Sequence, residues 1–229
     1  MMGLPMTTSP HPPKLQPGDR LTRDEFERRY DAMPELKKAE LIEGVVYMAS
    51  AVRYTQHGMP ERYLSMWLGY YQSTTPGVEV VGNTTLRLDV DNEPQPDLLL
   101  RVPERAGGRS RVGADDYLEG APELVVEIAA SSVSYDLHQK LHAYRRNGVA
   151  EYLVHRVDDA AIDWFVLERG AYVPQLPDAE GLLHSRTFPG LVLSPSLALA
   201  GDLRGLQQLI ERACATAEHA AFVQRLAQA

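Results

Sequence analysis

Residues 122–156 read PELVVEIAASSVSYDLHQKLHAYRRNGVAEYLVHR. An apolar run, LVVEIAA, is followed by Val133, Leu137, Leu141 and Tyr144 at helical spacing, and then by a second apolar run, EYLVHRV. The helix has a natural stop at Gly148, since a residue without Cβ takes the left-handed conformation past a helix end at little cost. Strand, helix and strand joined this closely have the size of a βαβ crossover, which sets two parallel strands in one sheet with a helix across its face.

The other segments fit around that unit. LTRDEFERRYDAM carries Thr22 and Glu25 in capping-box spacing and predicts a short helix. KAELIEGVVYMAS predicts two strands meeting at Glu43–Gly44. HGMPERYLSMWLGYYQS, with Leu64, Trp67, Leu68 and Tyr71, predicts an amphipathic helix. VEVVGN, TTLRLDV and PDLLLRV read as strands. PERAGGRSRVGADDYLEGAP reads as a loop whose length marks it as functional or mobile. AIDWFVLERG and AYVPQL read as further strands, with TFPGLVLSPSLAL closing the sheet, and the tail from Asp202 as one long helix. The expected architecture is α/β (α+β): a central mixed β-sheet flanked by helices in one domain. That domain spans residues 21–200, after a Pro-rich disordered arm over 1–20 and before a C-terminal helix over 201–229.

Composition narrows the function classes. Hydrophobic residues make up 44% and charged residues 24%, the balance of a globular chain, and no apolar run is long enough to span a bilayer. The single cysteine, Cys214, excludes an internal disulfide, which suits the reducing cytoplasm, and its surroundings make it a structural thiol. The formal net charge of −8 argues against a general nucleic-acid coat but leaves room for a local basic patch.

Two strands raise a chemical question. Asp97 opens the apolar run of PQPDLLLRV, and LVVEIAA holds Glu127 inside it. An unpaired carboxylate buried there costs several kcal/mol or takes up a proton. Lys140, three residues after Leu137 and four before Tyr144, lies on or beside the apolar stripe of the following helix. A short loop joins the two elements, so Lys140 can reach Glu127, and Asp97 joins them if its strand neighbours LVVEIAA. Read singly, each has an ordinary alternative: Asp97 as a strand opener after Pro96, Glu127 on an open sheet face, Lys140 in a surface pair with Asp136. Together, two carboxylates and a lysine are a workable set for metal-assisted phosphodiester hydrolysis, with oxygen ligands suited to Mg2+ or Mn2+.

PQPDLLLR, APELVVEIAASS and YDLHQKLHAYRRNGVAEYLV, in that order, resemble the Uma-two family of restriction endonucleases, a branch of the PD-(D/E)XK nucleases. The resemblance runs from about Thr22 to Leu199 and takes in ELIEGVVYM and FPGLVL. It implies a restriction-endonuclease-like core, DNA as substrate, Asp97 and Glu127 as the paired acids, Lys140 as the lysine and Glu43 as a further metal ligand. Ala129 stands two residues after Glu127, where the superfamily usually has lysine, and AASS replaces the family's Ser-Pro-Ser-type turn. Nucleases that cut both strands often act as dimers, so a homodimer is expected. The rival reading is a nuclease fold serving as a non-catalytic binding or assembly module.

Other motifs carry less. His138 and His142 have a zinc-ligand spacing, but the position after His138 is Gln139, which cannot serve as the general base of a metalloprotease. His57, just ahead of the second helix, has two readings: a residue that approaches the metal pocket, or a local hydrogen-bonding group near a helix start.

Overall fold

The computed structural model describes residues 12–48, 51–130 and 132–228. Six strands form the central sheet: β3 (Glu79–Gly82), β5 (Leu98–Arg101), β8 (Leu124–Ala129), β9 (Glu151–Arg156), β10 (Ala161–Glu168) and β11 (Ala171–Pro174). Their spatial order is β11-β10-β9-β8-β5-β3. β8 and β9 are parallel, and every other neighbouring pair is antiparallel. The parallel pair is the crossover expected from the sequence. The connecting helix runs over residues 133–146, as α3 (Val133–Tyr135), a wider π-type turn (Asp136–Lys140) and α4 (Leu141–Arg146).

Strand alternation divides the core into two layers. Leu124, Val126 and Ile128 of β8 meet α2 (Met59–Thr74) through Leu64, Trp67, Leu68 and Tyr71. Val125 and Ala129 face the opposite way, toward Tyr144 and the partly buried Val133, Leu137 and Leu141. Glu127 therefore points into the layer beneath helix 133–146.

A separate hairpin, β1 (Ala39–Ile42) and β2 (Val45–Met48), packs with α1 (Arg23–Asp31) through Phe26, Leu41 and Val46. Leu15, within the stretch expected as a disordered arm, is buried in the same cluster. The first eleven residues of the expected arm lie outside the described residues. Thr22 precedes α1 as expected, but its side chain makes no capping bond, and Glu25 is held by Arg28 and Arg29 instead.

Three other expectations are corrected. The stretch read as a long loop contains β6 (Arg111–Val112) and β7 (Leu118–Glu119), which join β4 (Leu86–Arg87) in a small sheet. Glu123 fixes it further, accepting from the Val102 and Arg109 amides. The TFPGLVL segment does not join the central sheet: β12 (Leu183–His184) pairs only with β13 (Val192–Leu193). The tail is not one helix. After α5 (Pro195–Ala200), α6 (Leu203–Cys214) ends at Ala215, and Thr216 caps α7 (Ala217–Ala227) through its hydroxyl. The apolar face of α6 is buried in its own chain, with Leu206, Leu209 and Ile210 in the α2 layer. No helix among the described residues is long and apolar enough to cross a membrane.

Candidate active site

The register of β5 on β8 brings the two acids together. Leu98 lies opposite Val126, so Asp97, one residue further out, lies opposite Glu127 on the same face. Asp97 Oδ2 accepts from the Ile128 amide at 2.8 Å, which ties it directly to β8. Both side chains are buried, at 4% and 3% exposure.

Lys140 completes the arrangement from the helix above. Its ammonium lies 2.9 Å from Glu127 Oε1, 3.0 Å from Glu40 Oε1 and 3.8 Å from Asp136 Oδ1. The Tyr144 hydroxyl donates to the same Glu127 oxygen at 2.8 Å. Two donors thus share Oε1, and no hydrogen bond among the described residues reaches Oε2. Burial alone would push Lys140 toward the neutral amine, but Glu127, Glu40 and Asp136 reverse that and hold it well above the usual lysine range. Burial pushes the Glu127 carboxyl up to about 8, against the pull of Lys140. Asp136, whose Oδ2 accepts from Ser132, is also raised by burial.

The solvent side is built differently. His57 sits in a π-type turn over Tyr54–Gly58, just ahead of α2, with Nε2 3.2 Å from Asp97 Oδ1 and 3.6 Å from Glu61 Oε2. Lys38, just before β1, lies 3.9 Å from the same Asp97 oxygen. Burial raises the Asp97 carboxyl, but the His57 hydrogen bond and charge, the Lys140 charge and the Ile128 amide together hold it below its ordinary value. The Asp97 bond in turn raises the His57 imidazole. Both wider turns, Tyr54–Gly58 and Asp136–Lys140, carry side chains into this one cluster, and such turns recur at functional sites.

The sequence matches the Uma2 family, described as "Putative restriction endonuclease", over residues 23–199. The chain belongs to the Uma2 family. The fold agrees. A crystal structure described as "a putative nuclease belonging to DUF820" from Anabaena variabilis superposes with a TM-score of 0.59 at 13% identity. The match covers 79% of this chain and 98% of that one. No curated protein matches the sequence. The Uma2 region ends before α6 and α7, so the helices that cover the α2 layer are an addition to it.

Within this Uma2 chain the structure brings Asp97, Glu127 and Lys140 together, but not Glu43. Glu43 occupies the β1–β2 turn with φ of 52°, and its carboxylate faces the Arg146 guanidinium at 3.4 Å. The acid that the hairpin sends into the cluster is Glu40, also fixed by the Gln95 amide at 2.7 Å. Glu40 had the same sequence signal as Glu127, a carboxylate inside an apolar strand, in Ala39-Glu40-Leu41-Ile42. His138 and His142 are exposed, away from the cluster.

Proposed function

We propose that this chain is a metal-dependent endonuclease that hydrolyses DNA phosphodiester bonds. One observation carries the reading. Asp97 and Glu127 lie side by side on adjacent strands with the Lys140 ammonium 2.9 Å from Glu127, inside a chain of an endonuclease family.

The donor set fits a hard divalent cation. Asp97, Glu127, Glu40 and Asp136 are all under 10% exposed and gather in one cluster, an all-oxygen set of side-chain donors. Glu127 Oε2 carries no hydrogen bond among the described residues. Those residues provide no cage of three side-chain ligands. Magnesium does not require one: it is commonly held by one or two carboxylates, with waters and substrate phosphate completing its shell. Asp97 and Glu127 would hold the ion. When bound, it lowers the pKa of a coordinated water and offsets charge growing on the phosphate.

The chain's own residues do the rest. The Ile128 amide and His57 fix the Asp97 carboxylate from two sides. Tyr144 and Lys140 fix Glu127. Glu40 anchors Lys140 so that its ammonium stays beside the reacting centre as a fixed positive charge. With its pKa raised, Lys140 acts as an orienter and charge stabiliser, not as a general base. A pre-organised donor of this kind contributes about 10²–10³ in rate. In this reading the enzyme works in the cytoplasm, and a second copy would address the second DNA strand.

The enclosure of Lys140, 4% exposed and locked among three carboxylates, favours a second reading. In that reading the cluster is a structural ion network in a non-catalytic nuclease-fold module. Nicking of supercoiled plasmid with manganese separates the two. Endonuclease action predicts nicking by the wild type that chelator stops and Asp97→Ala lacks. Activity undiminished in Asp97→Ala is a contaminant, and no cleavage of any nucleic acid leaves the module.

A further inference from the structure

Two lysines reach the acid cluster, and they differ in what they can do. Lys140 is sealed, with 4% of its side chain exposed and three carboxylates around its ammonium. Lys38 is not: 28% of its side chain is exposed. Its contact with Asp97 Oδ1 is 3.9 Å long, outside hydrogen-bond range, and it donates no hydrogen bond among the described residues. His57 already serves that oxygen at 3.2 Å. The Lys38 ammonium is therefore a surplus cation, loosely held at the edge of the pocket.

Its position matters because the cluster opens on that side. Glu127, Asp136 and Lys140 keep only 3–4% of their side chains exposed, whereas Lys38 and His57, which contact Asp97, and Glu61 beside His57 keep 22–28%. A phosphate approaching Asp97 from solvent meets these three first. Glu61 repels an anion and is engaged by the Asn83 amide. In a chain of net charge −8, a local cation at the mouth is what can draw in a polyanion.

We propose that Lys38 is the substrate-phosphate contact of this site: it leaves Asp97 as the backbone phosphate arrives and grips a non-bridging oxygen beside it. This rests on the nuclease reading above and assigns the phosphate contact to Lys38 and not to Lys140. No bond is made or broken by Lys38; it exchanges one anionic partner for another.

The test is binding, measured apart from turnover. Full-length Glu127→Gln, which keeps Asp97 and replaces a proposed metal ligand by a neutral isostere, is checked for folding by circular dichroism and titrated onto labelled duplex DNA in magnesium across a range of potassium chloride concentrations. The same is done with Lys38→Gln and Lys38→Arg added. Each phosphate contact to duplex DNA contributes about 0.9 to the slope of log K against log salt. The Lys38→Gln chain should lose about that much slope and bind several-fold more weakly, and Lys38→Arg should restore the slope. Thermal unfolding of Lys38→Gln should match its parent, since the side chain is at the rim. Equal slopes and affinities for parent and Lys38→Gln overturn the proposal while leaving the nuclease reading intact. No DNA binding by the parent, with no cleavage by the wild type, overturns both.

Discussion

Replacing Lys140 by methionine keeps the length of the side chain and removes its charge. At an effective dielectric of about 20, each of the two close carboxylates attracts the ammonium by roughly 5–6 kcal/mol, and Asp136 by about 4. Desolvating the ammonium and its partners offsets most of this, at several kcal/mol per ion. What remains on breaking a buried pair from one side is about 3–5 kcal/mol, because the carboxylates are left uncompensated. For a chain of this size, 1 kcal/mol moves Tm by about 2–4 °C, so Lys140→Met should unfold roughly 6–20 °C below wild type at pH 8. The deficit should shrink on acidification. Burial raises the Glu127 carboxyl from 4.5 to about 8, so the folded state binds this proton more readily than the unfolded chain. That contribution is fully present below about pH 4.5 and is lost as pH rises through 8. Without Lys140 the folded value climbs further, the gap widens, and the penalty grows toward high pH. Circular dichroism melts at pH 5 and pH 8 read the effect. A Lys140→Met chain within 1 °C of wild type at both values would refute the idea that this ammonium holds the cluster together.

Glu40→Gln should lower both stability and cleavage. Glu43→Gln should lie within about 0.5 kcal/mol of wild type in urea unfolding and keep its activity, since among the described residues the Glu43 carboxylate pairs with exposed Arg146 alone. Leu206→Ala, at a site with 0% exposure in the α2 layer, should cost about 2–5 kcal/mol by denaturant titration. Manganese affinity by calorimetry should rise with pH up to about 8, by about tenfold per unit, because Glu127 must lose its proton to act as a ligand. A flat profile would remove Glu127 from the ligand set.

The parallel pair, the crossover helix and the strand carrying Asp97 were legible because each has a strong period and a clear stop. The outcome for Lys140 follows from the same logic: a cation on the apolar stripe, a few residues beyond a carboxylate inside an apolar strand, has to meet it. The family resemblance points to Glu43 as the acid of the N-terminal hairpin, although a turn glutamate is its ordinary alternative. The structure sets the two side chains apart: Glu40, within the fully buried β1, lies 3.0 Å from Lys140, and Glu43, in the turn beyond it, faces Arg146. His57 was ambiguous in sequence because its contact with Asp97 spans forty residues and depends on a π-type turn, which has no distinctive pattern. The break in the tail is marked by Thr216, a capping residue hidden within a run of small helix formers, ACATAEHAA. The short strands β6 and β7 are two residues each, too short for any alternation to show.

A crystal of the full chain soaked in manganese and measured for anomalous scattering tests the central claim most directly. The account predicts one strong peak between the carboxylates of Asp97 and Glu127, absent from Asp97→Ala crystals soaked alike. No peak there in an otherwise unchanged wild-type structure, with Lys140 still closing the cluster at saturating manganese, would contradict it.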